Sequence, residues 1–143
     1  MSPSAPRILI AEDDAGVRDL VRTRLRIAGY DPHIARNGLE AVERALQLRP
    51  AAMVLDLNMP GLDGFGVLSA IQDQAPNLRL PTLVLTARHG GDDVRMAIAL
   101  GARDYLTKPF TEAQLLARVG RLMRGRIAPK QADNVLDAQS LEI

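Results

Sequence analysis

An aspartate at the end of an apolar run is the residue in this chain whose position most directly suggests chemistry. The apolar residues 52–55 lead into Asp56, and a glycine-rich segment, residues 57–66, follows it. Two interpretations compete. The glycines could cradle the phosphates of a nucleotide. Alternatively, Asp56 could itself be the reactive group, held at the tip of a strand.

The spacing of the glycines argues against a phosphate-binding loop. They stand at 61, 64 and 66, the reverse of G-x-G-x-x-G spacing, and no G-x-x-x-x-G-K-[ST] motif occurs in the chain. The segment also follows the third apolar run, whereas a dinucleotide loop follows the first. We therefore interpret Gly61 as a tight turn and Gly64 and Gly66 as the start of a helix.

Polar side chains follow other apolar runs as well: Glu12, Asp13 and Asp14, then Thr86, then Lys108 with Pro109. Carboxylates crowded at one place repel one another and raise their neighbours' pKa values, so such a site needs a cation. Oxygen ligands favour Mg²⁺. With Mg²⁺ bound, Asp56 could attack a phosphoryl group whose charge Lys108 neutralises and whose oxygen accepts a hydrogen bond from Thr86. An aspartyl phosphate would result.

Each of these residues also has an ordinary structural explanation. Asp13 or Asp14 could cap a helix, and Asp56 could begin a turn. Thr86 could be a satisfied hydroxyl at a strand end, and Lys108 could be a solvated surface lysine. Their shared position after apolar runs is what favours the chemical interpretation.

Strand-like apolar runs alternate with helical patterns along the chain. The predicted strands are 7–11, 31–36, 52–56, 81–86 and 103–106, and the predicted helices are 14–28, 38–48, 64–74, 92–100 and 111–124. Leu20 and Leu39 belong to the predicted apolar faces of the first two helices. Pro32 suggests that the second strand lies at an edge, and Thr111 with Gln114 matches a capping box.

This alternation predicts an α/β fold in which helices cover both faces of a parallel sheet. In open sheets of this kind, ligands bind outside the carboxyl ends of the strands, where the strand order reverses. The carboxyl ends of strands 1, 3, 4 and 5 should therefore converge. The polar residues that follow those strands would then form one site.

The composition excludes several classes of protein. The chain has 143 residues, 24 per cent of them charged, and a net charge of +1, which argues against a strongly electrostatic nucleic-acid binder. It has no cysteine, so disulfides and thiolate sites are excluded. No apolar run approaches the length of a membrane span, and the polar residues 1–6 do not form a signal peptide. We expect a cytoplasmic protein with a disordered N-terminus at 1–6.

The motifs ILIAEDD, VLDLNMPGLDG, VLTA and DYLTKPF, in this order and at this spacing, resemble the receiver domain of bacterial two-component response regulators. The resemblance covers residues 7–125. It implies a flavodoxin-like (βα)5 doubly wound parallel sheet with strand order 2-1-3-4-5. It also implies a regulator that accepts a phosphoryl group from a sensor histidine kinase or a histidine phosphotransfer protein and is not a turnover enzyme.

The resemblance assigns a role to each site residue. Asp56 is the phosphoacceptor. Glu12 and Asp13 hold Mg²⁺ together with Asp56 and the backbone carbonyl of Asn58. Lys108 contacts the phosphoryl group.

The family pattern also implies how the signal leaves the site. The Lys108–Pro109 bond is expected to be cis, and Thr86 and Tyr105 match the family's switch pair. Asn58 and Arg88 match the positions that tune the lifetime of the phosphoryl group. Phosphorylation is expected to change the surface made by the fourth helix, the fifth strand and the fifth helix.

Residues 111–125 are similar to the end of the receiver domain in winged-helix transcription regulators, which pair through that surface. Asp104 and Arg118 keep the charged pattern of this homodimer. The chain departs from it at four positions: Val94, Arg103, Gln114 and Gly125. The arginines of the fifth helix are interpreted as a solvated face in preference to a nucleic-acid contact.

Residues 126–143 are interpreted as a linker or tail, and they could equally be the start of a truncated output domain. DNA binding is expected only if such a domain is missing.

Two rival functions remain at this point. A haloacid-dehalogenase-type phosphatase would need an aspartate at position 58, where the chain has Asn58. A flavodoxin-like electron carrier would need a Ser/Thr/Gly phosphate loop after the first strand, where the chain has acids. A receiver that only binds partners is the third alternative, and the complete set of site residues argues against it.

Overall fold

The computed structural model describes residues 5–87 and 91–124, and it contains five strands and five helices that alternate along these residues. The strands are β1 (Arg7–Ala11), β2 (Asp31–Ala35), β3 (Ala52–Asp56), β4 (Thr82–Thr86) and β5 (Asp104–Thr107). The helices are α1 (Ala15–Ile27), α2 (Gly38–Leu48), α3 (Gly64–Gln74), α4 (Gly91–Ala99) and α5 (Glu112–Arg124). Each bound lies within one residue of its prediction.

The five strands form one parallel sheet in the order β2-β1-β3-β4-β5. This confirms the predicted flavodoxin-like α/β fold and places β2, with Pro32, at an edge. β1 and β3 are central and almost wholly apolar because helices cover both of their faces. None of the described helices is long and apolar enough to cross a membrane.

Alternate side chains of the strands point to two cores, one on each face of the sheet. Leu9, Met53 and Leu55 pack with α2 and α3 on one face. Ile10 and Val54 pack with α1 and α5 on the other. The helices that flank each face are therefore held against a rigid sheet, and this sheet fixes where its carboxyl ends lie.

Helix starts follow the expected capping chemistry. Thr111 and Gln114 form the predicted capping box, with backbone-to-side-chain hydrogen bonds of 2.8 and 3.0 Å. Asp63 caps α3 by accepting a hydrogen bond from the N–H of Gly66 at 2.9 Å. Each cap satisfies backbone N–H groups that have no partner within the helix.

The prediction that Leu20 and Leu39 are buried is wrong, because they are 44 and 73 per cent exposed. Leu39 follows Gly38, whose missing side chain lets the first turn of α2 approach the backbone of Leu62; a Cβ at Gly38 would lie 2.1 Å from the Leu62 carbonyl oxygen. That close contact directs position 38 inward. The next residue, about 100° further round the helix, faces away.

Candidate functional site

The carboxyl ends of β1, β3, β4 and β5 meet at one edge of the sheet, as the topology rule predicts. The register pairs Asp56 with Leu85, the residue before Thr86. Lys108 follows β5, and its backbone N–H donates to the Thr86 carbonyl at 2.8 Å. The polar residues that end these strands are therefore neighbours in space although they are scattered along the chain.

Glu12 is completely buried at this edge. Its Oε2 accepts a hydrogen bond from the backbone N–H of Asp14 at 3.2 Å. Its Oε1 lies 3.1 Å from Lys108 Nζ. Within residues 5–87 and 91–124, this ion pair is the contact that Oε1 makes, and no other hydrogen-bond donor is within reach of this buried oxygen.

Asp56 is the second buried acid, with 2 per cent of its surface exposed. Its Oδ1 accepts a hydrogen bond from the backbone N–H of Asn58 at 3.0 Å, and its Oδ2 lies 3.6 Å from Lys108 Nζ. Lys108 thus stands between the carboxylates of Glu12 and Asp56. One ammonium group is therefore the counter-ion of two buried carboxylates.

The environment raises the pKa of Glu12 from 4.5 to about 7. Burial is the largest cause because it removes the charged carboxylate from water, and the charge of Asp56 adds to it. The N–H of Asp14 and the ammonium of Lys108 act in the opposite direction without cancelling the rise. The site is therefore short of positive charge.

Three carboxylates at this edge are close enough to bind one cation. One ligand oxygen from each of Glu12, Asp13 and Asp56 lies within 4.8 Å of the other two, and Asp13 is the exposed member. Oxygen-only ligands with one side open to water suit Mg²⁺. Among the described residues, Glu12 Oε1 has only the Lys108 ammonium beside it, and Asp56 shares that ammonium. Together with the raised pKa of Glu12, this leaves the cluster able to accept a further cation, so these residues fit the metal.

Asp14 lies outside this cluster. Its Oδ1 accepts a hydrogen bond from the backbone N–H of Val17 at 3.0 Å, which makes it the N-cap of α1. Of the two acids that could cap this helix, Asp14 does so and Asp13 remains beside the buried pair.

The other predicted residues have different surroundings. Thr86 is fully buried at the end of β4. The Lys108–Pro109 bond is cis. Tyr105 lies on β5 with 41 per cent of its surface exposed, so its ring is in an outward position. Arg88 lies outside the described residues.

Comparison with known proteins decides the family. Residues 8–120 match the family model described as the response regulator receiver domain. The chain belongs to this family. The receiver domain carries the phosphorylation-based signalling of two-component systems, and this chain has its fold and its acidic pocket.

Individual relatives agree with this assignment. The transcriptional regulatory protein PrrA of Mycobacterium leprae is 43 per cent identical over 123 residues, which cover 86 per cent of this chain and 52 per cent of PrrA. The DNA-binding dual master transcriptional regulator RpaA of Synechocystis is 42 per cent identical over 119 residues, covering 83 per cent of this chain and 49 per cent of RpaA. The chain spans about half the length of these curated relatives.

Solved structures show the same fold. The chemotaxis protein CheY4 of Vibrio cholerae superimposes with a TM-score of 0.78 at 30 per cent identity, over 83 per cent of this chain and 99 per cent of CheY4. The predicted strand order and the predicted family are both confirmed.

Arg18 is a residue of the receiver domain that the sequence analysis missed. Its Nη1 donates to the Glu12 carbonyl at 2.9 Å and approaches the Asp13 carbonyl at 3.4 Å. It therefore clamps the loop that carries two of the three acids. The sequence did contain a signal for this role, because Arg18 lies four residues after Asp14, the N-cap of α1. Residues four apart lie on the same side of a helix, so Arg18 is on the side of α1 that faces the loop.

The end of the receiver domain carries a second charged cluster, around Asp104. The carboxylate of Asp104 lies 3.4 Å from Arg118 Nη1 and 3.0 Å from Arg121 Nη2. Arg118 also donates to the backbone carbonyl of Tyr105, and its guanidinium lies 6.0 Å from the centre of the Tyr105 ring. Arg118 thus links α5 to the exposed tyrosine.

Proposed function

We propose that this receiver domain accepts a phosphoryl group on Asp56 in a two-component phosphorelay. The observation that carries the proposal is the buried Asp56 carboxylate, which lies 3.6 Å from Lys108 Nζ and within the three-acid cluster. A carboxylate oxygen of Asp56 attacks phosphorus in the donor's phosphohistidine. The P–N bond breaks, its electron pair goes to the imidazole, and an aspartyl phosphate remains.

The neighbouring groups stabilise this transfer. Glu12, Asp13, Asp56 and the carbonyl of Asn58 would hold Mg²⁺, which supplies positive charge to the phosphoryl oxygens. The Asn58 N–H fixes the carboxylate of Asp56 through its Oδ1. Lys108 adds a second positive charge.

Thr86 can donate a hydrogen bond to a phosphoryl oxygen, since it ends the strand next to Asp56. Positioning and charge are the main requirements of phosphoryl transfer.

The residue at position 58 favours a phosphoryl group that stays on Asp56 as a signal over one that is hydrolysed in enzymatic turnover. A phosphatase of the competing type uses a second acid there to protonate the leaving group, and Asn58 has no ionisable proton. We therefore assign no turnover activity. Asn58 and Arg88 are proposed to set how long the phosphoryl group survives.

Thr86 and Tyr105 are proposed to transmit the signal. An active state exists beforehand, and phosphorylation stabilises it. Thr86 moves toward the phosphoryl oxygens, and the exposed ring of Tyr105 turns inward. This movement would disturb the Arg118 contacts with Tyr105, and so change the surface of α4, β5 and α5. Equal exposure of the Tyr105 ring with and without a phosphoryl mimic would refute the switch.

The phosphoryl donor is proposed to be a sensor histidine kinase or a histidine phosphotransfer protein of the cytoplasm. A homodimer through α4, β5 and α5 would need Asp104, which Arg118 and Arg121 already engage within one chain. Dimerisation by that surface would therefore require these ion pairs to be exchanged. DNA recognition by an output domain, as the name of RpaA states for that protein, is proposed only for a longer natural chain.

Phosphate-affinity electrophoresis tests the proposal directly. The parent chain, Asp56→Asn and the control Asp73→Asn, which changes an exposed acid of α3, are incubated with Mg²⁺ and phosphoramidate. We expect retarded mobility in the parent and the control and none in Asp56→Asn. A retarded band that persists in Asp56→Asn would place the chemistry on another residue.

A further inference from the structure

Exposed arginines collect at the edge of the sheet opposite the acidic site. They occupy the first residue of β1, the last turn of α1, the end of α2, the loop before β4, the residue before β5 and the last residue of α5: Arg7, Arg26, Arg49, Arg79, Arg103 and Arg124. Strands start and helices end at this edge in a parallel α/β fold. We call this set the arginine edge.

The charges of the molecule are segregated between the two edges. Most carboxylates stand where strands end and helices start, including the three-acid cluster and the first turns of α2, α4 and α5. Within residues 5–87 and 91–124, the arginine edge has two exposed acids, Asp31 and Asp73. A third acid, the half-buried Asp104, begins β5 at this edge and is paired with Arg118 and Arg121. In the same part of the chain, five of its arginines form no ion pair: Arg7, Arg26, Arg49, Arg79 and Arg124.

Helix dipoles explain only part of this segregation. Arg26 and Arg124 lie in last turns of helices, where a positive charge is favourable. Arg7, Arg79 and Arg103 begin strands or lie in loops, where no such benefit exists.

Arg49 has a backbone cost as well. Its φ is +47°, in a left-handed conformation that Gly29 and Gly101 adopt after α1 and α4. An L-residue there costs roughly 1 kcal/mol.

Two of the arginines share a cleft. A cavity of about 220 Å³ opens between the end of α3, the loop before β4 and the turn before β5, and both Arg79 and Arg103 line it. Gln72 and Thr82 line the same cavity, and the hydroxyl of Thr82 already donates to the Leu80 carbonyl at 3.0 Å. The cleft is thus a place where an anionic group can meet more than one donor.

We propose that the arginine edge binds the phosphate backbone of duplex DNA, independently of sequence. The cations of this edge are arginines, as are all basic residues of the chain except Lys108 and Lys130, and the planar fork of arginine matches phosphate oxygens. Five strands at about 4.8 Å spacing give an edge of roughly 19 Å, which exceeds the roughly 12 Å width of the major groove and lets phosphates on both sides be contacted.

The opposite charge of the two edges gives the complex an orientation. The acidic edge is repelled by DNA, so the arginine edge faces it and the phosphoacceptor site faces away. No helix or hairpin projects from the described part of this edge to read bases, and phosphate contacts alone carry no sequence information. DNA binding is therefore compatible with phosphorylation of Asp56 on the same molecule.

Fluorescence anisotropy with a labelled 20-base-pair duplex tests this inference. The parent, Arg79→Gln and Arg49→Gln are compared with Arg36→Gln, which removes the same charge from an exposed arginine at the acidic edge. We expect the parent to bind at low salt. Each edge variant should bind more weakly to every sequence and lose about 0.9 from the slope of log affinity against log salt. Arg36→Gln should match the parent.

Three results would overturn the inference: no binding at low salt, equal weakening by Arg36→Gln and Arg79→Gln, or tighter binding to phosphatidylglycerol vesicles than to DNA. Circular dichroism of every variant checks that it is folded. Asp56→Asn separates this inference from the proposed function, since it should abolish phosphorylation and leave DNA binding intact.

Discussion

Replacing Glu12 with glutamine should stabilise the metal-free domain at high pH. Glu12 is fully buried, and its pKa rises from 4.5 to about 7. Each pKa unit corresponds to about 1.4 kcal/mol, so ionised Glu12 costs the folded state about 3 kcal/mol relative to the unfolded chain. Glutamine keeps the shape of the protonated side chain and cannot ionise.

The sign of the pH dependence follows from proton binding. Between pH 4.5 and 7 the folded protein holds the Glu12 proton and the unfolded chain releases it, so the contribution of Glu12 to the free energy of unfolding falls as pH rises. The loss is complete above the folded pKa. Parent and Glu12→Gln should therefore be equally stable near pH 4, and the variant should be about 3 kcal/mol more stable at pH 8.

Urea unfolding followed by far-ultraviolet circular dichroism measures this difference, since the chain has no tryptophan to report by fluorescence. The experiment runs with EDTA from pH 4 to 8, with Glu43→Gln as a control at an exposed glutamate of α2. Mg²⁺ at ten times its Kd should raise the free energy of unfolding of the parent by about 1.4 kcal/mol, and that of Glu12→Gln by less. A stability difference that stays constant with pH, or a variant less stable at pH 8, would refute the reasoning.

Three further substitutions test single contacts of the structure. Arg18→Gln should raise the Kd for Mg²⁺ about tenfold in thermal-shift titrations, because Arg18 positions the Glu12 and Asp13 loop; an unchanged Kd contradicts this role. Asp14→Ala should lower the free energy of urea unfolding by about 1 kcal/mol, through loss of the α1 cap, without changing Mg²⁺ affinity; a weaker affinity would return Asp14 to the metal site. Gly38→Ala should lower the free energy of unfolding by about 3 kcal/mol, because its Cβ would lie 2.1 Å from the Leu62 carbonyl oxygen; a loss below about 0.5 kcal/mol would mean that this loop yields freely.

The strands and helices could be predicted because this fold requires a regular alternation of apolar runs and helical repeats in the sequence. Central parallel strands are buried on both faces and therefore appear as short apolar runs, as in Ala52–Asp56. The same rule could not tell how much of each helix the sheet covers. Leu20 and Leu39 were therefore misassigned, since a helical repeat gives the direction of a side chain and not the width of the surface opposite it.

The order of the residues alone predicted that Glu12, Asp56, Thr86 and Lys108 meet, because parallel strands bring their carboxyl ends to one edge. The resemblance of the four motifs to receiver domains supplied the family and the sheet order. Only the tertiary structure decided the sharing of Lys108 between Glu12 and Asp56, the clamp by Arg18, the capping role of Asp14 and the double pairing of Asp104. Each of these contacts depends on two groups lying about 3 Å apart. The pattern of apolar and polar residues in a sequence locates a side chain only to within a turn of a helix, which is too coarse to predict such a distance. The separation of acids and arginines onto opposite edges could also be seen only in the folded structure. The net charge of +1 is a sum over all residues and does not say where in the molecule each charge lies.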